Sequence, residues 1–126
     1  MATVIDSTSI KATLSELLSI DGAKAAAIVD SESGMVLGKD GSGLDLDVAG
    51  AGNTEVVRAK LKTMKALGLT KDAIDDILIT LTSQYHIIRP ISGRPTVFIY
   101  LVLDKEKSNL ALARLKCADC DRALDV

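Results

Sequence analysis

The sequence predicts an α+β fold: a three-layer α/β/α sandwich around a five-stranded antiparallel sheet. Three observations lead there. Helical and strand periodicities follow one another in the order α-β-β-α-β-β-β-α. The run Val97–Leu103 is apolar on both alternating faces, as a strand covered on both sides must be. A long amphipathic helix separates two hairpins, so helices are available for either face.

Taken in order, Ile10, Leu14, Leu17 and Leu18 recur at helical spacing and mark a first helix. Asp6, Ser7 and Ser9 are its candidate N-caps, and Gly22 its expected end. "AKAAAIVD" and "MVLGK" flank the turn cluster "SESG", which predicts a hairpin of Lys24–Asp30 with Met35–Gly38. "DGSGLD" leads into the long helix. "DILITLT" and "QYHIIRPI" are strands joined at Ser83–Gln84, and "RPTVFIYLVLD" is the doubly apolar strand. Leu110, Ala113, Cys117 and Leu124 mark a last helix, with Asp104 as a candidate cap.

The 126 residues suffice for one domain with a real core, and hardly for two. With one Phe and two Tyr, that core must be built from Ile, Leu, Val and Ala. Fifteen basic and 17 acidic residues give a net charge of −2, with no basic stripe, which disfavours nucleic-acid binding. No apolar run approaches the roughly 18 residues of a membrane span, and MATVIDSTSIKATL lacks the basic and apolar regions of a leader. A cytoplasmic protein is the simplest expectation.

The long helix carries the main functional signal. Taking about 100° per residue, Leu46, Ala49, Gly50, Asn53, Val56, Val57, Lys60, Leu61, Met64 and Leu67 share one broad arc. Asp47, Thr54, Glu55, Arg58, Lys62 and Lys65 oppose it. The arc is wider than the apolar stripe of a helix lying on one sheet, which implies two neighbours. Gly50 and Gly52 cost a helix about 0.5–1 kcal/mol each, and Gly50 would let a backbone approach closely. Asn53 could bond a two-fold mate or a facing backbone group, or else satisfy a local carbonyl; Lys60 could join a contact or snorkel at its margin. Asp76–Thr82 follows the long helix and reads as an edge strand, yet it carries Ile77, Leu78, Ile79 and Leu81 with no Lys or Pro to blunt it. A two-fold contact resolves both features with one patch meeting itself. The expected homodimer interface is Gly50, Asn53, Val57, Lys60, Leu61, Met64, Ile77, Ile79 and Leu81.

No catalytic, cofactor or metal site is predicted. "GMVLGKDGSG" is not a phosphate loop, because Gly34 and Gly38 are too close and Asp40 follows Lys39. His86 is the sole histidine and has no nucleophile motif beside it; Asp75–Asp76 marks a strand entry. Arg89 and Arg94 flank Pro90 and Gly93 in an expected loop, where solvated charge is favoured over an arginine finger. Cys117 and Cys120 form a CADC that admits three explanations: a redox dithiol, half a zinc site, or two small helix residues.

"GAKAAAIVDSESGMVLG", "GNTEVVRAKLKTMKALGL", "DILITLTSQYHIIRP" and "FIYLVLDKEKSNLALARLKC" follow one another over most of the chain. In that order they resemble the roadblock family (dynein light-chain roadblock type), above all its bacterial branch. No single motif is diagnostic. The resemblance implies a profilin-like domain over residues 1–126 and a homodimer of antiparallel long helices with joined third strands. It also implies a non-catalytic regulator or scaffold for a Ras-like small GTPase, in some members stimulating GTP hydrolysis. A motor- or complex-associated light-chain adaptor is the alternative it leaves, and a CxxC thiol–disulfide protein is the alternative the residues leave.

Overall fold

In a computed structural model, residues 6–124 are described. Residues 1–5, part of the stretch read above for a leader, and residues 125–126 lie outside the described residues. The elements are α1 (Ser7–Leu18), β1 (Ala23–Asp30), β2 (Val36–Gly41), α2 (Leu46–Ala66), β3 (Ile77–Thr80), β4 (Gln84–Ile91), β5 (Arg94–Asp104) and α3 (Leu110–Ala123). The order α-β-β-α-β-β-β-α holds. The sheet runs β2-β1-β5-β4-β3, antiparallel throughout.

β5 is central, as its double apolarity requires. Phe98, Tyr100 and Val102 point to the α2 side, and Val97, Ile99, Leu101 and Leu103 to the α1 and α3 side. All seven are at most 2 % exposed. Each such side chain contributes roughly 1.5–3 kcal/mol on burial, so this strand anchors both cores. α1 packs on β1, β2 and α3, and α3 on β4. On the opposite face α2 packs on β1 and β2, off-centre over the sheet.

Several boundaries differ from expectation. Asp6 caps α1 by accepting from the Thr8 N–H, but the helix stops at Ser19. Gly22 instead turns the chain into β1 at a φ of +83°, where a Cβ would also strike Ser108. β2 starts one residue later than expected and runs on to Gly41, with Lys39 and Asp40 exposed on its free edge. β3 is only Ile77–Thr80, so Leu81 lies in the turn, its N–H bonded to the Gln84 carbonyl. Asn109 caps α3, because its side chain reaches the Leu112 N–H. Asp104 instead accepts from Glu106 and Lys107 in the turn after β5.

Candidate functional site

α2 begins where Asp45 accepts from the Asp47 and Val48 N–H groups. Its sheet-facing stripe is Leu46, Gly50, Thr54, Val57 and Met64, all buried. Gly50 is needed there because a Cβ would meet Val36 Cγ2 at 2.7 Å. Thr54, expected on the polar side, is 1 % exposed and satisfies its hydroxyl on the Gly50 carbonyl at 2.8 Å. The expected arc therefore merged two surfaces. Gly50, Val57 and Met64 are buried in the subunit's own core, whereas Asn53 is half-buried and Lys60 and Leu61 are exposed.

The two flanks of α2 differ in chemistry. One carries Asp47, Glu55, Arg58, Lys62 and Lys65. It leans toward the β1–β2 hairpin, where Lys39 bonds Asp47 and Arg58 donates to the Glu32 carbonyl. The other leans toward β5, where Asn53 hydrogen-bonds the Tyr100 hydroxyl. Ala49 and Val56 lie half-buried on that flank, and Gly52, Ala59, Thr63 and Ala66 carry the row on over the exposed outer face of the helix at three- and four-residue steps, the spacing of a helix-pairing seam. Gly52 has open space where a Cβ would stand. The seam's polar groups are already served inside the helix: Thr63 donates to the Ala59 carbonyl at 2.9 Å, and Asn53 to that of Ala49 at 2.8 Å. Both could be covered without leaving a donor stranded.

The seam reads alike from either end about a point between Val57 and Arg58. Ala49 mirrors Ala66, Gly52 mirrors Thr63, and Val56 mirrors Ala59. Beyond them Val48 mirrors Leu67; these are 67 % and 65 % exposed. Lys60, exposed at the seam's margin, mirrors Glu55, a charge of opposite sign. The 4-3 spacing of small residues could have been read from the sequence, but one wide arc hid it.

β3 is an edge strand, as expected. Ile77 and Ile79 are half-buried on the α2 side, and Leu78 is exposed on the other. No charged residue or proline lies within Ile77–Thr80. Leu61 is half-exposed but turns toward the β4–β5 hairpin, away from the seam.

The remaining candidates resolve into structural roles. His86 shares the α2-side face with Ile88; its Nδ1 stands 3.0 Å from the Tyr100 hydroxyl and its Nε2 2.9 Å from Gln84 Oε1. Burial lowers its pKa, favouring the neutral ring. Arg89 is neither solvated nor a finger: it lies in β4, and its Nε donates to Asp121 at 3.0 Å. Asp121 also accepts from the Ser92 N–H and hydroxyl, tying α3 to the β4–β5 turn. Asp76 accepts two bonds from Arg114 and so fixes α3 to the start of β3. Cys117 and Cys120 are free and buried on the inner side of α3. Burial first, then neighbouring negative charge, pushes their thiols up to about 12 and about 11. Neither forms the thiolate that disulfide exchange needs at neutral pH. Among the described residues no group of three or more His, Cys, Asp or Glu is placed to hold a metal ion. No helix among them is long and apolar enough to cross a membrane.

No family model matches the sequence, and no curated protein matches it. Solved structures do match the fold. MglB of Myxococcus xanthus superposes with a TM-score of 0.82 at 17 % identity, covering 98 % of this chain and 90 % of that one. The gliding protein MglB from Thermus thermophilus gives 0.80 at 18 % identity, covering 97 % and 91 %. A Roadblock/LC7 domain from Streptomyces avermitilis gives 0.76 at 13 % identity, covering 88 % and 90 %. At these identities the likeness is one of fold.

Proposed function

We propose that this chain, whose fold is that of the roadblock proteins, is a cytoplasmic, non-catalytic homodimer that binds a Ras-like small GTPase. It acts as regulator or scaffold, and stimulation of GTP hydrolysis is the activity to test first. The observation that carries the dimer is the mirror-symmetric seam of α2 beside the bare edge of β3. Two helices related by a two-fold axis would bring Ala49 to Ala66, Gly52 to Thr63 and Val56 to Ala59 of the other copy. Small side chains at each level permit close approach. Pairing of the two β3 edges in the dimer would in addition remove an aggregation hazard.

The GTPase partner rests on the sequence resemblance and on the roadblock-type fold. No side-chain constellation described above offers chemistry of its own, so any effect on hydrolysis would come from shaping the partner. The deciding experiment is binding of each Ras-like GTPase encoded by the source organism, loaded in turn with GDP and with a non-hydrolysable GTP analogue. Binding in one nucleotide state supports the proposal; no binding in either state by any of them overturns it.

A further inference from the structure

A cleft of about 280 Å³ opens between the second half of α2, the chain leading into β3 and the β4–β5 hairpin. It is smaller than the roughly 300–1,000 Å³ of typical small-molecule sites, and suits one long side chain better than a cofactor. Its walls are apolar: Val57 and Leu61 from α2, Ile74 from the connecting chain, and Pro90 and Pro95 from the hairpin. Four charged residues also line it: Asp72, Asp75, Arg89 and Asp121. Arg89 and Asp121 neutralise each other through their 3.0 Å bond. That leaves the carboxylates of Asp72 and Asp75, both on exposed residues.

We propose that this cleft receives a lysine or arginine side chain from a partner protein. The apolar walls take the aliphatic stem, and Asp72 and Asp75 take the charged head, the arrangement in which long basic side chains bury their stems and keep the charge near water. A purely apolar occupant would cover the two carboxylates without replacing the water they lose. An acidic occupant would meet two like charges. Arg114 makes its two hydrogen bonds to Asp76 and lies within longer electrostatic reach of Asp75, and Lys71 is exposed on the chain just before Asp72, so the pair Asp72 and Asp75 keeps a net negative charge. All the walls come from one subunit, so the cleft stands whether or not the two-fold assembly forms, and its test is separate from the GTPase test.

The probe is N-acetyl-arginine methylamide, titrated into the uniformly ¹⁵N-labelled chain. Saturable shifts are expected at Leu61, Ile74, Asp75 and Ile91, with a dissociation constant on the order of millimolar, as exposed ion pairs contribute little. The citrulline analogue, of nearly the same shape and uncharged, should bind about threefold to tenfold more weakly, and Asp72→Asn with Asp75→Asn should weaken the arginine probe by a similar factor. Both positions are exposed, and an otherwise unchanged spectrum verifies that the variant is folded. Equal binding of the citrulline or norleucine analogue would show an apolar site and overturn the proposal. So would tighter binding of the glutamate analogue, which would make Arg89 the recognition group, or the absence of saturable shifts at these residues.

Discussion

The Tyr100 hydroxyl of the central strand stands 3.0 Å from Nδ1 of His86, while His86 Nε2 lies 2.9 Å from the Gln84 carboxamide. With the ring neutral and its proton on Nε2, tyrosine donates to Nδ1 and the imidazole donates to Gln84. A second ring proton would turn Nδ1 into a donor, so the Tyr100 hydroxyl would have to give up this donation and accept instead.

This sets a pH dependence. Burial holds the His86 pKa below the 6.5 of the free side chain. Between the two values the unfolded chain binds more protons, so stability rises with pH across that window and is lost as pH falls below about 6.5. Urea midpoints measured from pH 7.5 down to 5 should decline in the wild type and stay flatter in His86→Asn. Parallel curves for the two proteins would show that His86 is not the group responsible.

Assembly should depend on the seam and not on the whole α2 arc. Ala59→Glu would place two carboxylates beside Val56 of the opposite copy, and light scattering should report a monomer with unchanged circular dichroism. Leu61→Glu, on the cleft side, should leave the dimer intact. A wild-type chain that is monomeric at tens of micromolar (about the range where a weak stable dimer still persists), or a dimer indifferent to Ala59→Glu, contradicts the proposed interface.

The two helix glycines should respond oppositely to alanine. Gly50→Ala gains helix propensity of about 1 kcal/mol but drives a methyl into Val36, and overpacking costs roughly 1–3 kcal/mol. The net change should be destabilising. Gly52→Ala meets open space. In the Ala59→Glu background it should stabilise by about 0.5–1 kcal/mol, measured by chemical denaturation.

Asp121→Ala should be the costliest of the polar substitutions. The side chain is 1 % exposed, and its removal strands Arg89 and the Ser92 N–H. A loss of roughly 3–5 kcal/mol is expected in urea unfolding. A loss under about 1 kcal/mol, the worth of an exposed pair, would mean that solvent reaches this cluster.

The layers, element order and strand β5 were legible because they rest on periodicity and on one doubly apolar run. The edge position of β3 was legible from its place directly after the long helix. The surfaces of α2 were only half legible. Gly50 and Gly52 look alike in sequence, yet one fits the sheet and the other faces open space. Thr54 reads as polar, but its hydroxyl turns back on its own helix and lets it be buried. Arg89 reads as loop charge because its partner, Asp121, lies far along the chain in α3. Such long-range pairings leave no local pattern.

The two borders of the sheet are unlike. β3 ends it with bare Ile77–Thr80, and β2 ends it with Lys39 and Asp40 exposed. A molecule with two bare borders could add copies indefinitely and grow into a fibre. Here, once one border is joined to its twin, both outer limits of the doubled sheet are charged. In the proposed dimer, edge addition would therefore stop after a single round, and a chain rich in Ile, Leu and Val would not polymerise through its own strands.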